Sequence, residues 1–388
     1  MKKTLAALAV LGAFSGAAFA QSNVQLYGIV DGGIRMVDST VDGINSVTGV
    51  QSGQQSGSRF GLKGSEQLGN GLKVVFQLEN GFDLDSGKLG NDSRLFGREA
   101  RVGVEGAFGA VNVGRFGNLG SGNGTFGIIG GMASPFGTSF ADAGTQGTLL
   151  LNDRFDNSVV YVSPKFAGFQ ASAMYSFQTN GQESAKIDGT TAKPGDTDKN
   201  NTYAGLGLTY AIGKLQTGLT YEQFTASYGY LDGFDKDPIA EKNDTKVLKL
   251  AANYDFGIVK PFAYYQRGEG GKLADFNLYE GTEAIKSDAF SIGASAPIMG
   301  GTLMASYQWF KSDDFKKATD DLNSVNVERQ IFAVGYDYPF SKRTNVYGVM
   351  SFSQGDGAWD KETKAVHVTG WDANVNRNVY EIGLRHKF

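Results

Sequence analysis

Cysteine is absent from this chain, and of its 388 residues only two are histidine and seven are proline. Without cysteine the protein has no disulfide framework, no thiolate nucleophile and no thiolate metal site. A catalytic triad needs a histidine beside its nucleophile, and neither His367 nor His386 has an acyl-enzyme motif nearby. We therefore expect no bound metal, no cofactor and no enzymatic activity.

Long apolar runs and an excess of positive charge are also missing. After residue 20 no stretch approaches the ~20 consecutive apolar residues of a transmembrane helix. The formal net charge is −4, whereas proteins that bind nucleic acids are usually basic. These two absences argue against a helical membrane protein and against nucleic acid as a partner.

The first twenty residues have the pattern of a secretory signal peptide. Lys2 and Lys3 form a positively charged n-region, residues 5–14 form an apolar h-region, and residues 18–20 form an A-x-A cleavage site. The apolar region is too short to span a bilayer as an anchor. We predict that residues 1–20 are removed and that residues 21–388 form one domain of an exported protein.

Apolar and polar residues alternate over much of the remaining chain, which is rich in glycine and aromatic residues. In the segment 24–35, Val24 and Leu26 lie on one face of an extended chain, and Gln25 and Asp31 lie on the other. A strict period of two over this length indicates a strand with one apolar face and one hydrated face.

Sixteen such segments predict an all-β fold, a 16-stranded antiparallel transmembrane β-barrel. Bacterial barrels formed by one chain have an even number of strands, with short turns at one end and long loops at the other. Here short turns and long polar loops alternate, and aromatic residues lie near the short turns. A soluble β-sandwich would need none of these features. The predicted strands are 24–35, 58–68, 72–84, 94–106, 110–116, 154–163, 169–180, 201–212, 214–228, 244–256, 258–267, 287–297, 301–311, 326–338, 345–354 and 377–388.

The connection formed by residues 118–153, here called the 118–153 loop, is much longer than an ordinary strand connection. It is the third long loop, and it combines many glycines with large apolar residues. A loop facing solvent would not normally expose so much apolar surface. We predict that it folds inward and packs on the barrel wall through Phe126, Ile128, Ile129, Phe136 and Phe140.

Several segments of the chain match one protein family. They are 24–31 (VQLYGIVD), 58–69 (SRFGLKGSEQLG), 76–82 (FQLENGF), 94–98 (RLFGR), 157–161 (NSVVY), 338–344 (YPFSKRT) and 383–388 (GLRHKF). Together they resemble the general porins of Gram-negative bacteria, most closely those of betaproteobacteria, over the whole mature chain.

The resemblance implies an outer-membrane channel for passive diffusion of ions and small hydrophilic solutes. It also implies a homotrimer surrounded by outer-membrane lipid and lipopolysaccharide, with the third loop narrowing each pore. The terminal aromatic residue, Phe388, would be recognised by the barrel assembly machinery. A solute-specific channel with a saturable binding site on the same fold remains the alternative.

In such porins, basic residues of the wall face acidic residues near the inserted loop. The basic candidates here are Arg59, Arg101, Arg115 and Arg154. Arg59 and Arg101 alternate with apolar neighbours and should point inward. Arg115 has the same parity as the apolar face of its strand, so it reaches the lumen only through a twist or a bulge.

The acidic candidates are fewer than the basic ones. They are Glu79 on the wall, Asp142 within the 118–153 loop and Asp153 at its exit. Fixed charges at the narrowest point of a pore bias which ions pass. The sequence alone leaves the choice between anions and cations open.

Overall fold

Sixteen antiparallel strands pair with their neighbours in sequence order, and the last strand pairs with the first. These sixteen strands therefore form a closed barrel, and the predicted strand number and order are confirmed. The structure, a computed structural model, describes residues 23–39, 46–145, 148–180, 186–187, 190–191, 201–226, 243–270, 272–273, 276–277, 285–312, 328–356, 359–360, 365–366 and 376–388.

One further strand, β2, pairs with residues 32–37 of β1, which follow the part of β1 that pairs with β3. The strands are β1 (Asn23–Ser39), β2 (Val47–Ser52), β3 (Arg59–Gly69), β4 (Leu72–Gly81), β5 (Glu99–Gly106), β6 (Gly109–Gly117), β7 (Arg154–Val162), β8 (Phe169–Ser176), β9 (Thr202–Ile212), β10 (Leu215–Ala226), β11 (Asn243–Tyr254), β12 (Lys260–Gly270), β13 (Ile285–Ile298), β14 (Gly301–Ser312), β15 (Glu328–Pro339), β16 (Thr344–Asp356) and β17 (Arg377–Lys387).

Helical and isolated strand segments are short in the described part of the chain. Four-residue helical segments occur at Gly90–Ser93 and Gly130–Ala133. Two-residue strand pairs join Lys186–Ile187 to Thr190–Thr191, Lys272–Leu273 to Phe276–Asn277, and Trp359–Asp360 to Ala365–Val366. Within the described residues, no helix has both the length and the apolar character needed to cross a membrane.

Many predicted strand ends differ from the structure by a few residues, and two parts of the prediction are wrong. The predicted strand 94–106 begins only at Glu99, and the Leu95 carbonyl accepts a hydrogen bond from the Asn80 side chain at 2.5 Å instead of from a neighbouring strand. Residues 47–52, which the sequence predicted as part of a long loop, form β2. That segment is short and its alternation is weak, so pairing with β1 decides its conformation.

The two faces of the barrel have opposite character. On β9, for example, Leu206 is 62% exposed on the outer face, whereas Tyr203 on the inner face is fully buried. Exposed apolar residues recur at alternate positions on nearly every strand, and buried polar residues lie between them. An apolar outer face and a polar inner face suit a barrel surrounded by lipid.

Aromatic residues border the short-turn end of the outer face. Phe169 stacks on Tyr210 with ring centroids 4.3 Å apart, and Tyr254 lies 4.5 Å from Phe256. The predicted aromatic residues at this end include several with large exposed surfaces, such as Phe166 and Phe340. A belt of aromatic residues around the barrel fits the boundary between the hydrocarbon core of a bilayer and its headgroups.

Some predictions fall on residues outside the described ranges. The predicted signal peptide, residues 1–20, lies entirely outside them. The predicted long loops at 182–200, 229–243, 268–286, 312–325 and 355–376 lie largely outside them as well.

The last strand offers a direct test of which face is in contact with lipid. Leu384 is exposed on the outer face, whereas Arg385 points inward and donates hydrogen bonds to Asn345 and Ser56, both at 3.0 Å. We expect Leu384→Arg to lower the free energy of unfolding by about 2–4 kcal/mol if the site is near the bilayer midplane. Arg385→Leu should cost clearly less. Urea unfolding of barrels refolded in lipid vesicles measures both, and equal losses would contradict this orientation.

Candidate pore constriction

The 118–153 loop lies against the inner face of the barrel in its described part, which omits residues 146 and 147. Inward-pointing polar side chains from a series of strands hold it there. They contact the loop from β10 to β17 and include Glu222, Lys249, Gln266, Gln308, Arg329 and Arg377. The loop therefore follows roughly half of the inner circumference instead of extending outward.

A buried ion pair fastens the two ends of the loop. Lys249 Nζ lies 2.8 Å from Glu222 Oε2, and both side chains are completely inaccessible to solvent. Lys249 also donates to the carbonyls of Gly120 and Leu151, at 2.9 and 3.3 Å. Glu222 accepts hydrogen bonds from the Gly120 amide at 3.0 Å and from the Tyr203 hydroxyl at 2.6 Å. One ion pair thus holds the outgoing and returning chain together.

Two glutamines hold the middle of the returning chain. Gln266 accepts a hydrogen bond from the Leu150 amide at 2.8 Å and donates to the Thr148 carbonyl at 3.1 Å. Gln308 donates to the carbonyls of Asp142, Ala143 and Gly144, all within 3.1 Å. A carboxamide has both donors and acceptors, so it can pair with backbone that has no strand partner.

Asp142 is bound between two arginines of the wall. Its Oδ1 lies 2.7 Å from Nη2 of both Arg329 and Arg377, and Arg377 Nε donates to Oδ2 at 2.7 Å. Burial alone raises the pKa of Asp142, but the charges and hydrogen bonds of Arg329 and Arg377 outweigh it and hold the pKa well below its ordinary value. Asp142 is therefore ionised at neutral pH and neutralised by its partners.

The apolar residues of the loop pack against the barrel wall. Ile128 rests over Gly207 and Gly218, where any larger side chain would overlap with it. Ile129 is fully buried, and Phe126 lies 5.0 Å from Phe116 in an edge-on arrangement. Phe136 and Phe140 pack together with wall residues that include Met304, Tyr347 and Val349.

A cavity of about 1220 Å³ remains between the loop and the opposite wall. Its lining carries eight basic and five acidic side chains. The basic residues are Arg35, Arg59, Arg98, Arg154, Lys260, Arg329, Arg377 and Arg385, and the acidic residues are Glu79, Glu99, Asp142, Asp153 and Asp337. The lining therefore has more positive than negative charge.

Three arginines of this lining lie at the start of β3, just before β5 and at the start of β7. Arg98 Nε donates to Glu79 Oε1 at 2.8 Å, and Arg59 Nη1 lies 3.7 Å from the same oxygen. Arg154 Nη2 donates to the Asn123 side chain at 2.9 Å. One carboxylate therefore lies beside two of the three cations, and the group keeps a net positive charge.

Two predicted basic residues, Arg101 and Arg115, are not brought to this cavity. Arg101 is held by Glu99 at 2.6 Å and lies over the Phe126 ring. Arg115 turns inward at a register shift between Gly114 and Phe116, and it pairs with Asp156 at 2.7 Å. Both are on the lumen side, but acidic partners hold them behind the residues that line the opening.

The predicted acidic residues Glu79, Asp142 and Asp153 all line the cavity. Sequence reasoning missed Lys249, Glu222, Arg329 and Arg377 as partners of the loop. A sequence signal for Lys249 exists, because it is a single charge flanked by Leu248 and Leu250 at an inward-pointing position. Its partner lies on another strand, and the alternation does not reveal cross-strand pairs.

Lys249→Met tests the buried anchor. We expect a loss of about 3–5 kcal/mol in the free energy of unfolding, because Glu222 keeps its charge without a buried counter-ion. Adding Glu222→Gln removes that charge and keeps an acceptor for Gly120, so the double variant should recover part of the loss. Urea unfolding in vesicles measures this, and a double variant as unstable as Lys249→Met would contradict the pairing.

The fold and its lumen define a class of protein. A closed barrel of sixteen strands leaves an aqueous interior, and here an apolar outer wall surrounds a charged, partly filled lumen. This is a transmembrane β-barrel channel.

Known proteins place the chain within that class. A family model described as Gram-negative porin matches residues 6–358. An outer membrane porin protein of Bordetella pertussis is 34% identical over 421 residues, all of both chains. The solved anion-selective porin from Comamonas acidovorans is 27% identical with a TM-score of 0.66, covering 95% of this chain and 100% of its own. OmpT of Vibrio cholerae in its trimer form is 18% identical, covers 95% of this chain and 99% of its own, and has a TM-score of 0.61.

The chain belongs to the Gram-negative porin family. It is an outer-membrane porin that forms a water-filled channel for passive diffusion of ions and small hydrophilic solutes.

Proposed function

We propose that the 118–153 loop and the arginines Arg59, Arg98 and Arg154 form the constriction of this porin, and that the pore passes small anions in preference to cations. The observation that carries this proposal is the excess of basic over acidic side chains around the cavity. Fixed charge beside a narrow aqueous path raises the local concentration of the opposite ion.

The partners of the acidic residues strengthen the charge argument. Asp142 is neutralised by Arg329 and Arg377, and Glu79 lies beside Arg59 and Arg98. Paired carboxylates attract few cations, because their field is largely cancelled at short range. Arg154 has no carboxylate partner in the described part of the chain and bonds to the neutral Asn123. The name of the Comamonas relative, an anion-selective porin, points in the same direction.

Reversal potential in a salt gradient tests this proposal. Purified porin in a planar bilayer separates two potassium chloride solutions of different concentration, and the sign of the zero-current voltage identifies the more permeable ion. We expect a sign that indicates chloride. A potential near zero or of the opposite sign would contradict anion preference. Conductance that saturates at low solute concentration would indicate a specific binding site instead.

We also propose further properties of the chain. Residues 1–20 act as a cleaved signal peptide, and the chain works as a channel without catalytic activity. It assembles as a homotrimer in outer-membrane lipid and lipopolysaccharide, as the trimer form of the Vibrio OmpT neighbour suggests. The barrel assembly machinery recognises Phe388, whose ring is about half exposed while its backbone pairs with Gly28. Chemical cross-linking of native membranes tests the trimer.

A further inference from the structure

The chain between β2 and β3 forms a second inward segment. We propose that residues 53–58, here called the 53–58 strap, form the other half of the constriction and set the size limit of the pore together with the 118–153 loop. This inference rests on the proposed role of that loop as the constriction.

The strap leaves the wall because the partner of β1 changes along its length. Residues 23–29 of β1 pair with β3, whereas residues 32–37 pair with β2. Asp31 lies between these two ladders, and the strap folds around it. The amides of Gln55 and Ser56 donate to Asp31 Oδ2 at 3.0 and 2.6 Å, and Gly53 N donates to the Asp31 carbonyl at 2.8 Å. Asp31 thereby replaces the missing ladder partners.

Side chains of the strap reach over the neighbouring inner wall. Gln55 Nε2 donates to Asp337 on β15 at 2.5 Å, and Gln55 Oε1 accepts from Asn345 Nδ2 on β16 at 2.8 Å. Arg385 on β17 donates to Ser56 Oγ at 3.0 Å. From β1 to β15 there are three inter-strand spacings, or about 14 Å of wall. The strap therefore covers this part of the lumen and leaves less of it open.

The strap also meets the loop directly. The Phe140 amide donates to the Gln54 carbonyl at 2.7 Å, and the Phe140 ring lies 5.2 Å from Tyr347. Tyr347 in turn donates to Asp31 at 2.6 Å. Asp31, Gln54, Phe140 and Tyr347 thus form one connected group, and the two inward segments make a continuous rim.

Residues of the strap border the same opening as the proposed constriction arginines. Residues 53–57 line the cavity together with Arg59 and Arg98. Gln54 is almost completely buried, and neither polar atom of its side chain has a protein hydrogen-bond partner in the described part of the chain. A buried carboxamide at the edge of an aqueous cavity is normally satisfied by water or by a passing polar solute. Gln55 is partly exposed to the cavity and is therefore the size-determining side chain of this rim, whereas the buried Gln54 supports it from behind.

The test is a pair of shortened side chains, Gln54→Ala with Gln55→Ala. The backbone hydrogen bonds to Asp31 remain, so the strap keeps its position while the shortened side chain at residue 55 no longer narrows the lumen. We expect single-channel conductance to rise roughly 1.5-fold, because conductance follows the open cross-section. Liposome swelling should show faster entry of disaccharides. Gln330→Ala, on the exposed outer face, is the matched control and should leave both values unchanged.

Replacement of residues 121–149 separates this inference from the proposed function. If that replacement raises conductance and the Gln54 and Gln55 pair does not, the strap inference is overturned and the loop keeps its role. If the loop replacement has no effect, the proposed constriction fails. If the paired variant does not fold, Gln55→Ala alone leaves the buried Gln54 in place and carries the same expectation with a smaller rise; no rise in that variant would also overturn the inference.

Discussion

Replacing residues 121–149 by a short glycine–serine link should raise the conductance of each pore roughly two-fold, because the segment occupies cross-section that ions would otherwise use. The link should close readily. Gly120 and Leu151 lie outside the deletion and keep their contacts with Lys249, and a shorter loop costs little closure entropy. The same replacement should strengthen anion preference, since it removes Asp142 and leaves Arg329 and Arg377 without that carboxylate.

The control for this deletion is an exposed connection elsewhere. Residues 85–88 are exposed and do not line the cavity, so replacing them by glycine and serine should not change conductance. Stability should fall in the loop variant through lost packing of residues such as Ile129 and Phe136. A loop variant that assembles normally and conducts like wild type would place the loop outside the path of ions, contrary to the proposal.

Removing the three arginines of the proposed constriction should reverse the selectivity of the pore. In the variant Arg59→Ser, Arg98→Ser and Arg154→Ser, Glu79 loses both of its nearby cations and becomes an uncompensated charge beside the opening. We expect the ratio of chloride to potassium permeability to fall by about ten-fold, because the fixed charge at the narrowest point changes sign. Reversal potentials at low ionic strength, where screening is weak, measure this most clearly.

The control for the arginine variant is an arginine on the other face of the barrel. Arg267 is half exposed on the outer surface and pairs with Asp288 at 2.9 Å. Arg267→Ser changes the net charge in the same direction without touching the lumen, so it should leave the reversal potential unchanged. An arginine triple variant that retains the wild-type reversal potential would remove these residues from the constriction.

The fold could be predicted because its strongest sequence signal, the alternation of apolar and polar residues, involves only residues that are neighbours in the chain. In the last strand, the alternation of apolar and polar residues by itself assigns Leu384 to the outer face and Arg385 to the inner face, where the structure has them. The pattern could not show which inner residues meet across the lumen. Asp142 contacts Arg329 and Arg377 although they are about two hundred residues away in sequence. Periodicity specifies a face, whereas such contacts depend on the path of an irregular loop.

Irregular backbone accounts for the remaining differences. Arg115 has the parity of the apolar face, and only the register shift beside Gly114 turns it inward. Residues 53–57 of the strap were part of a predicted long loop, because nothing in their polar sequence indicates that the backbone amides there bind Asp31. Bulges and inward segments depend on contacts between distant residues, so they emerge only when the barrel is closed.

Lys249 and Glu222 also limit how often the 118–153 loop can leave the barrel wall. Lifting the loop from the wall separates two charges that have no water around them, which is a costly and therefore rare event. Exposed side chains of a pore lining, in contrast, change rotamer within picoseconds to nanoseconds. In a current trace, side chains would then contribute only fast noise around a steady open level. Long complete closures would require the loop to leave its buried anchor, and their frequency would increase in Lys249→Met.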